Sequence, residues 1–189
     1  MREGAKEPAW SIRAETPDDA AAIGALLDRG FGPGRYAKSA YRLREGVHPV
    51  AALSFVAHEN GTLRGSVRFW PVAIGQDSNS ANALLLGPLA VETAQRGRGI
   101  GVALMETGIA AARGAGWPAI VLVGDEPYYA RVGFAKLAPG RVRFPGPVDQ
   151  SRILGLSLTP GALLTLTGEI RRPHLDDVVC AAGAGLAVQ

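Results

Sequence analysis

Apolar and polar positions alternate over Trp10–Glu15, which predicts a first strand. Thr16-Pro17-Asp18-Asp19 follows, with a capping hydroxyl, a proline suited to a first turn and two acids that complement a helix dipole. The helix it opens buries Ile23, Leu26 and Leu27 and breaks over Gly30 to Gly34. Arg35–Glu45 reads as a second helix, with Tyr36, Ala40, Leu43 and Val47 spaced for one face. Val50–Glu59 and Thr62–Ile74 read as strands joined at Asn60-Gly61, a strong hairpin signal, and Gln76–Asn82 reads as a polar loop. Leu84–Val91 is a nearly continuous apolar run, as expected of a strand covered on both faces. Gly87-Pro88 interrupts it. Proline has no N–H for the ladder, so the pair predicts a bulge, with the amides of Leu89, Ala90 and Val91 beyond it left for a ligand.

A helical stripe comes next: Ile100, Val102, Leu104, Met105, Ile109, Ala111 and Ala112, ended by Gly114 and Gly116. Ile120–Val123 is a second buried strand, and a short helix carrying Tyr128 and Tyr129 follows, with Asp125 placed as N-cap and Gly133 as C-terminal cap. Two buried strands around one crossover helix predict a parallel, right-handed unit. If the bulge splays the first strand from the second, a cleft opens between their carboxyl ends. Beyond Phe134 the signals thin to turns at Pro139-Gly140 and Pro145-Gly146-Pro147, a strand over Arg152–Leu158, and a strand or short helix over Ala162–Ile170. One domain over residues 9–172 and a loosely ordered tail over 173–189 are expected.

Composition narrows the function classes. The chain has 189 residues, 47% of them hydrophobic and 20% charged, as in soluble globular proteins. Its net charge of +3 is almost all arginine against acid, since lysine occurs only at positions 6, 38 and 136. No basic run or aromatic–basic interleaving argues for a nucleic-acid groove. Cys180 stands alone, so no disulfide forms within the chain. Met1–Trp10 lacks the apolar centre of a signal peptide, and no apolar run is long enough for a membrane span. A cytoplasmic protein is expected, and no His/Cys/Asp cluster has metal-ligand spacing.

The chemistry concentrates at Arg96-Gly97-Arg98-Gly99-Ile100-Gly101. A helix beginning in glycines offers free N–H groups and the positive end of its dipole to an anion, and Arg96 and Arg98 add charged donors. A P-loop would need Lys-Ser/Thr after the last glycine, where Val102-Ala103 stand. A dinucleotide fingerprint would need G-x-G-x-x-G straight after the strand, and here the glycines fall at 97, 99 and 101 with Glu92–Gln95 between. Arg96–Gly101 does match, position by position, the Arg/Gln-x-x-Gly-x-Gly/Ala signature of the GNAT superfamily of N-acyltransferases. Tyr128-Tyr129-Ala130-Arg131-Val132-Gly133-Phe134 resembles that family's second signature. Gly-Pro-Leu-Ala-Val and Gly-Asp-x-x-Tyr-Tyr resemble its bacterial YhbS-like branch.

The resemblance implies an α/β (α+β type) fold: a mixed, mostly antiparallel sheet of six to seven strands with a central splayed parallel pair, flanked by about four helices. It implies acetyl-CoA as acyl donor, bound by Leu89, Ala90, Val91, Arg96, Gly97, Arg98, Gly99, Ile100, Gly101 and Tyr128. Arg96–Gly101 would hold the pyrophosphate, and Leu89 and Val91 the pantetheine arm. By analogy Phe31, Tyr36 and Tyr41 are candidate contacts of an unidentified amine acceptor, with plain core packing the favoured alternative for them; a monomer or a homodimer fits. Tyr129 falls at the family's tyrosine position, as general acid to the CoA thiolate. A phenol of pKa about 10 can donate to a thiolate of pKa about 8.5. Adjacent helical residues point about 100° apart, so the two tyrosines cannot both face the sulfur.

The general base stays open. Leu84-Leu85-Leu86 carries no carboxylate where some relatives place a Glu. Glu92, Glu126, His48, His58 and His174 all read as ordinary solvated or satisfied groups, and a water chain to solvent serves as well. That gap keeps alive a second reading, a non-catalytic CoA-binding regulatory or scaffold protein with the same fold.

Overall fold

The computed structural model describes residues 9–37, 39–76 and 80–173. The centre of the expected polar loop, at 77–79, and the tail beyond Pro173, with His174 and Cys180, lie outside the described residues. Strand β1 (Ser11–Ala14) leads through a 3₁₀ turn at Pro17–Asp19 into α1 (Ala20–Phe31). Thr16 N–H donates to the Asp19 carboxylate at 2.8 Å, and Arg13 pairs with the same group at 2.7 Å, which ties β1 to the head of α1. The Arg13 guanidinium holds that carboxyl well below the usual range.

Strands β2 (Phe55–Glu59) and β3 (Thr62–Ile74) form the expected hairpin, with Asn60 at φ 51° and Gly61 at φ 73°, the left-handed pair a tight hairpin turn requires. β4 (Ala81–Val91), α3 (Ile100–Gly114) and β5 (Ala119–Val123) make the crossover unit, and α4 (Glu126–Tyr129) follows. The rest of the chain supplies β6 (Ala135–Lys136), β7 (Val142–Arg143), β8 (Ile153–Ser157), α5 (Ala162–Thr165) and β9 (Gly168–Arg171).

The sheet runs β1-β2-β3-β4-β5-β8-β6, with β9 beside the end of β3 and β7 beside β9. Its neighbours are antiparallel except β4–β5 and the two-residue β7–β9 pairing. Nine strands are found among the described residues, where six to seven were expected; the two-residue β6 and β7 are too short to leave a hydrophobic pattern.

The expected helix over Arg35–Glu45 is a correction. It divides into a 3₁₀ turn at Pro33–Ala37 and a single turn, α2 (Ser39–Arg42). A helix of that length is marginal on its own, and this one lacks a continuous apolar face: Leu43 is buried but Tyr36 is 47% exposed. Ala162–Ile170 realises both of its alternatives in succession, as α5 and β9. Ala51–Leu53 leaves the expected strand for a 3₁₀ turn, so β2 begins at Phe55.

The sheet is covered on both faces. One side packs Val67, Phe69, Leu84, Leu86, Ile120 and Leu122 against Leu104, Met105 and Ile109 of α3. The other packs Trp70, Val72, Leu85 and Val121 against Leu43, Phe144 and Leu166, while Ile23, Leu26 and Leu27 of α1 close over Val56 and Ala90. Val102 and Ala111, expected in the α3 stripe, are only half-buried at its margin, and Gly101 and Gly108 take buried positions instead.

Helix α3 lies directly on the backbone of β3. A methyl group at Gly65 would stand 3.0 Å from Leu104 Cδ1 and 3.1 Å from Ile100 Cγ2, and one at Gly108 would collide with the Phe69 ring. Phe69 is fully buried and has nowhere to turn. Gly108→Ala is therefore expected to destabilise the fold by about 1–3 kcal/mol, read as a lower urea midpoint at unchanged slope. Among the described residues no helix is long and apolar enough to cross a membrane.

Candidate active site

The site begins at the bulge in β4. Val67 of β3 faces Leu89 and Phe69 faces Leu86, so Arg68 alone stands opposite both Gly87 and Pro88. Gly87 lies at φ 121°, the Gly87-Pro88 peptide is cis, and Gly87 O accepts from Trp70 Nε1 at 2.6 Å. β4 pairs with β5 only at Leu84↔Ile120 and Leu85↔Val121, and past the bulge the two strands part. Glu92 N–H donates to Arg64 O on the β3 side at 2.8 Å. Backbone groups in an antiparallel strand alternate sides, so Ala90 also faces β3, while Leu89 and Val91 turn their N–H and C=O groups into the gap.

The glycine loop closes one end of that gap. Gly97 and Gly99 sit at φ 81° and 82°, and Gly99 is the residue before α3. The first helical bond runs from Ala103 N–H to Gly99 O at 3.0 Å. The amides of Ile100, Gly101 and Val102 therefore stand at the helix head without helical partners. Together with Leu89–Val91, Arg96, Arg131 and both tyrosines they line a cleft of about 320 Å³. A phosphate-bearing ligand would meet several N–H donors here, and a helix dipole with its positive end outward.

Each tyrosine is seated against a glycine. A Cβ at Gly101 would collide with Tyr128 Oη, and one at Gly124 with the Tyr129 ring. The two rings meet edge to face at 5.2 Å between centroids, and Tyr129 meets Phe134 in the same way at 6.0 Å. Burial raises both phenols, Tyr128 less and Tyr129 up to about 12, with Tyr128 and Asp125 adding to the latter. Asp125 occupies the N-cap position of α4, yet its carboxylate makes no capping bond and pairs with Arg152 at 3.1 Å; Gly133, at φ 92°, caps the far end as expected.

A second cavity of about 800 Å³ opens on the opposite side of the bulge, between α1, the Arg35–Glu45 segment and the β8 entrance. Phe31, Leu89 and Tyr129 line both cavities, so the two join at the bulged strand and the buried phenol.

The expected cofactor-binding residues converge on the first cleft with one exception. Arg98 turns away from it, donating to Glu59 at 2.7 Å and to Gln95. Of the expected acceptor contacts, Phe31 and Tyr41 line the second cavity and Tyr36 does not. Among the described residues, none of the carboxylates and imidazoles weighed as a base lines either cavity: Glu92 pairs with Arg29, Glu126 lies 2.9 Å from Lys136, His58 lies 3.5 Å from Asp19, and His48 is exposed. Among the lining residues that were not foreseen are two cations, Arg131 in the first cleft and Arg44 in the second. Arg44 falls four residues after Ala40 and three after Tyr41, on the inward side of the segment, and a cation at that spacing was the available signal.

Comparison with known proteins places these features in a wider set. The sequence model described as an acetyltransferase (GNAT) domain matches residues 51–136. The chain is 35% identical over 159 residues to the N-acetyltransferase YhbS of Escherichia coli K12, covering 83% of this chain and 92% of that one. It is 30% identical over 162 residues to YjhQ of the same organism, covering 84% and 90%. Among solved structures, YhbS from Escherichia coli in complex with CoA superimposes with a TM-score of 0.73 at 33% identity, covering 89% of this chain and 93% of that one. A GNAT family acetyltransferase from Brucella melitensis in complex with acetyl-CoA gives 0.61 at 33% identity, covering 80% and 89%.

Proposed function

The chain belongs to the GNAT family of acyl-CoA-dependent acetyltransferases, and from that premise we propose that it moves an acetyl group from acetyl-CoA to a primary amine by direct attack, with Tyr129 as general acid to the departing thiolate. The observation that carries this reading is the junction of the two cavities at Leu89 and Tyr129. A donor in the glycine-lined cleft and an acceptor in the larger cavity meet along that shared wall, which Phe31 completes. The CoA-bound relatives support the identity of the donor.

In this mechanism the amides of Gly97–Val102 and the Arg96 guanidinium hold the diphosphate. The free edge at Leu89 and Val91 bonds the pantetheine arm in place of the missing strand, flanked by Ala90 and Tyr128. As the amine attacks, the thioester oxygen gains charge and the Leu89 amide stabilises it without reorganising. The C–S bond then breaks toward a thiolate, and Tyr129 O–H donates to it. With its pKa near 12, the phenol stays protonated throughout the working range. Complete transfer from it to a thiolate whose thiol has a pKa of about 8.5 would run uphill by about 3.5 units, so its acid role is a strong hydrogen bond to the departing sulfur, and the thiolate takes up its proton from solvent.

Among the described residues, no side chain at the site takes the amine's proton. The carboxylates lining the acceptor cavity are engaged, Glu45 with Arg172 at 3.1 Å and Asp149 with the Ser151 hydroxyl at 2.7 Å. Those Ser151 bonds also lower the Asp149 carboxyl, making it a poor base. Water in the open cavity removes the proton instead. Because an alkyl amine has a pKa of about 10.4, kcat/KM for the acceptor is expected to rise about tenfold per unit between roughly pH 6 and 9. No falling limb is expected in that range, since Tyr129 holds its proton to about 12. A plateau near neutrality would instead reveal a side-chain base. The reading as a whole is tested by thiol release from acetyl-CoA over a panel of amines. Tight CoA binding without turnover of any acceptor would favour a non-catalytic CoA-binding protein.

A further inference from the structure

Arg44 reaches the acceptor cavity beside the bulge. Its guanidinium carbon lies 5.7 Å from the Trp70 ring centroid, and one terminal nitrogen fills the space above Gly87, 3.1 Å from where a Cβ would stand. Its Nε is sealed from solvent and donates to nothing. Burial pushes the guanidinium down to about 10.

The other arginines around this cavity are neutralised. Arg35 lies 2.8 Å from Asp28, Arg68 Nε donates to Glu15 at 2.8 Å, and Arg152 lies 3.1 Å from Asp125. The cavity's own carboxylates, Glu45 and Asp149, are held by Arg172 and Ser151. Among the described residues no acid pairs with Arg44. A cation withdrawn from water without a counter-ion opposes folding, and the paired terminal nitrogens of its planar fork suit a two-oxygen anion.

Tyr129 is near enough to Arg44 for each to influence the other's charge, and both line the same cavity. A small ligand can therefore touch both. Resting on the transferase reading above, we propose that the acceptor is a primary amine that also carries an anionic oxygen group, a carboxylate or a phosphate, and that Arg44 binds that group while the amine lies at Tyr129. Plain alkylamines and polyamines lack the group Arg44 awaits.

The test uses the full chain saturated with acetyl-CoA and a series of straight-chain ω-amino acids, their carboxamides, and the matching aminoalkyl phosphates. The expected result is a preference of at least about tenfold in kcat/KM for one or both anionic arms over the neutral amides. Whichever arm is preferred identifies the anion. Arg44→Gln should erase that preference through KM with little change in kcat, and Arg44→Lys should restore part of it. Amides used as well as acids, or a preference that survives Arg44→Gln, would overturn the proposal and leave the transferase reading standing. Calorimetry with sodium acetate and with inorganic phosphate on the CoA-loaded protein separates the two readings further. Anion binding lost in Arg44→Gln supports the site even if no amine is acetylated, a failure that would fall on the transferase reading. Absence of anion binding with either salt, together with no acceptor preference, overturns the site. Thermal melting guards against a packing role. Removing a buried cation without a counter-ion should leave Tm within about 3 °C of the parent or raise it. A large fall in Tm, with an unaltered preference in Arg44→Lys, would assign Arg44 to packing alone and overturn the proposal.

Discussion

Gly99→Asp is expected to weaken acetyl-CoA binding by about a hundredfold or more, whereas Gly99→Asn should weaken it by about tenfold at most. The two substitutions share one backbone cost. Gly99 lies at φ 82°, a region that Asp and Asn enter more readily than other side chains. Neither clashes, since nothing lies within 4 Å of a Cβ built there. They differ in a single negative charge placed at the head of α3. Opposite a diphosphate at about 5 Å, with an effective dielectric near 20, that charge costs about 3 kcal/mol per unit of ligand charge before screening. It also opposes the helix dipole that draws the anion in. Titration calorimetry checks the prediction, and added salt should narrow the gap between the two variants. Equal losses for Asp and Asn would mean that backbone strain, and not an anion at this loop, accounts for the effect.

Tyr129→Phe is expected to lower kcat by about ten- to a hundredfold while CoA affinity changes by less than about twofold. General acids often contribute more than this. Here the phenol is held at about 12, well above the working pH, which limits how much proton transfer it can supply. The ring's packing against Gly124 and Phe134 does not use the hydroxyl, so removing one oxygen should leave the fold in place. Tyr128→Phe should show the reverse pattern, because its oxygen abuts Gly101 at the cofactor loop. A larger fall in kcat for Tyr128→Phe than for Tyr129→Phe would exchange the two roles.

Much of this site could be read from local sequence because its parts depend on backbone geometry. Gly87-Pro88 announced the bulge through the missing N–H, and the structure places two residues of β4 opposite Arg68 there. Arg96–Gly101 announced the anion loop because left-handed turns before a helix need glycine. Asn60-Gly61 announced the hairpin for the same reason. What stayed hidden depends on partners distant in sequence. Arg98 looked like a phosphate donor by position, but Glu59, 39 residues earlier, takes its guanidinium. β9 returns to the end of β3, where Ile170 faces Ile74, a pairing that no local periodicity encodes. The Arg35–Glu45 segment reads as a helix because its apolar spacing is helical, yet Gly32 and Gly46, both at positive φ, bracket too short an apolar face to sustain one. Arg44 was missed with it, since the Trp70 ring and the bulge at Gly87 that its guanidinium packs against lie far along the chain.

The close seating of α3 on β3, where Gly65 of the strand meets Leu104 and Ile100 and Gly108 of the helix meets the Phe69 ring, bears on how a cofactor would be held. With no Cβ to hold the two elements apart at these points, the helix sits close on the sheet, and the amides at its head inherit the stiffness of the strands below. The entropy of arranging those donors is thus lost during folding, before any nucleotide arrives. What remains for the encounter is electrostatic attraction to a ready-made cradle. Glycine, usually invoked for pliancy, serves at these two positions as the source of rigidity.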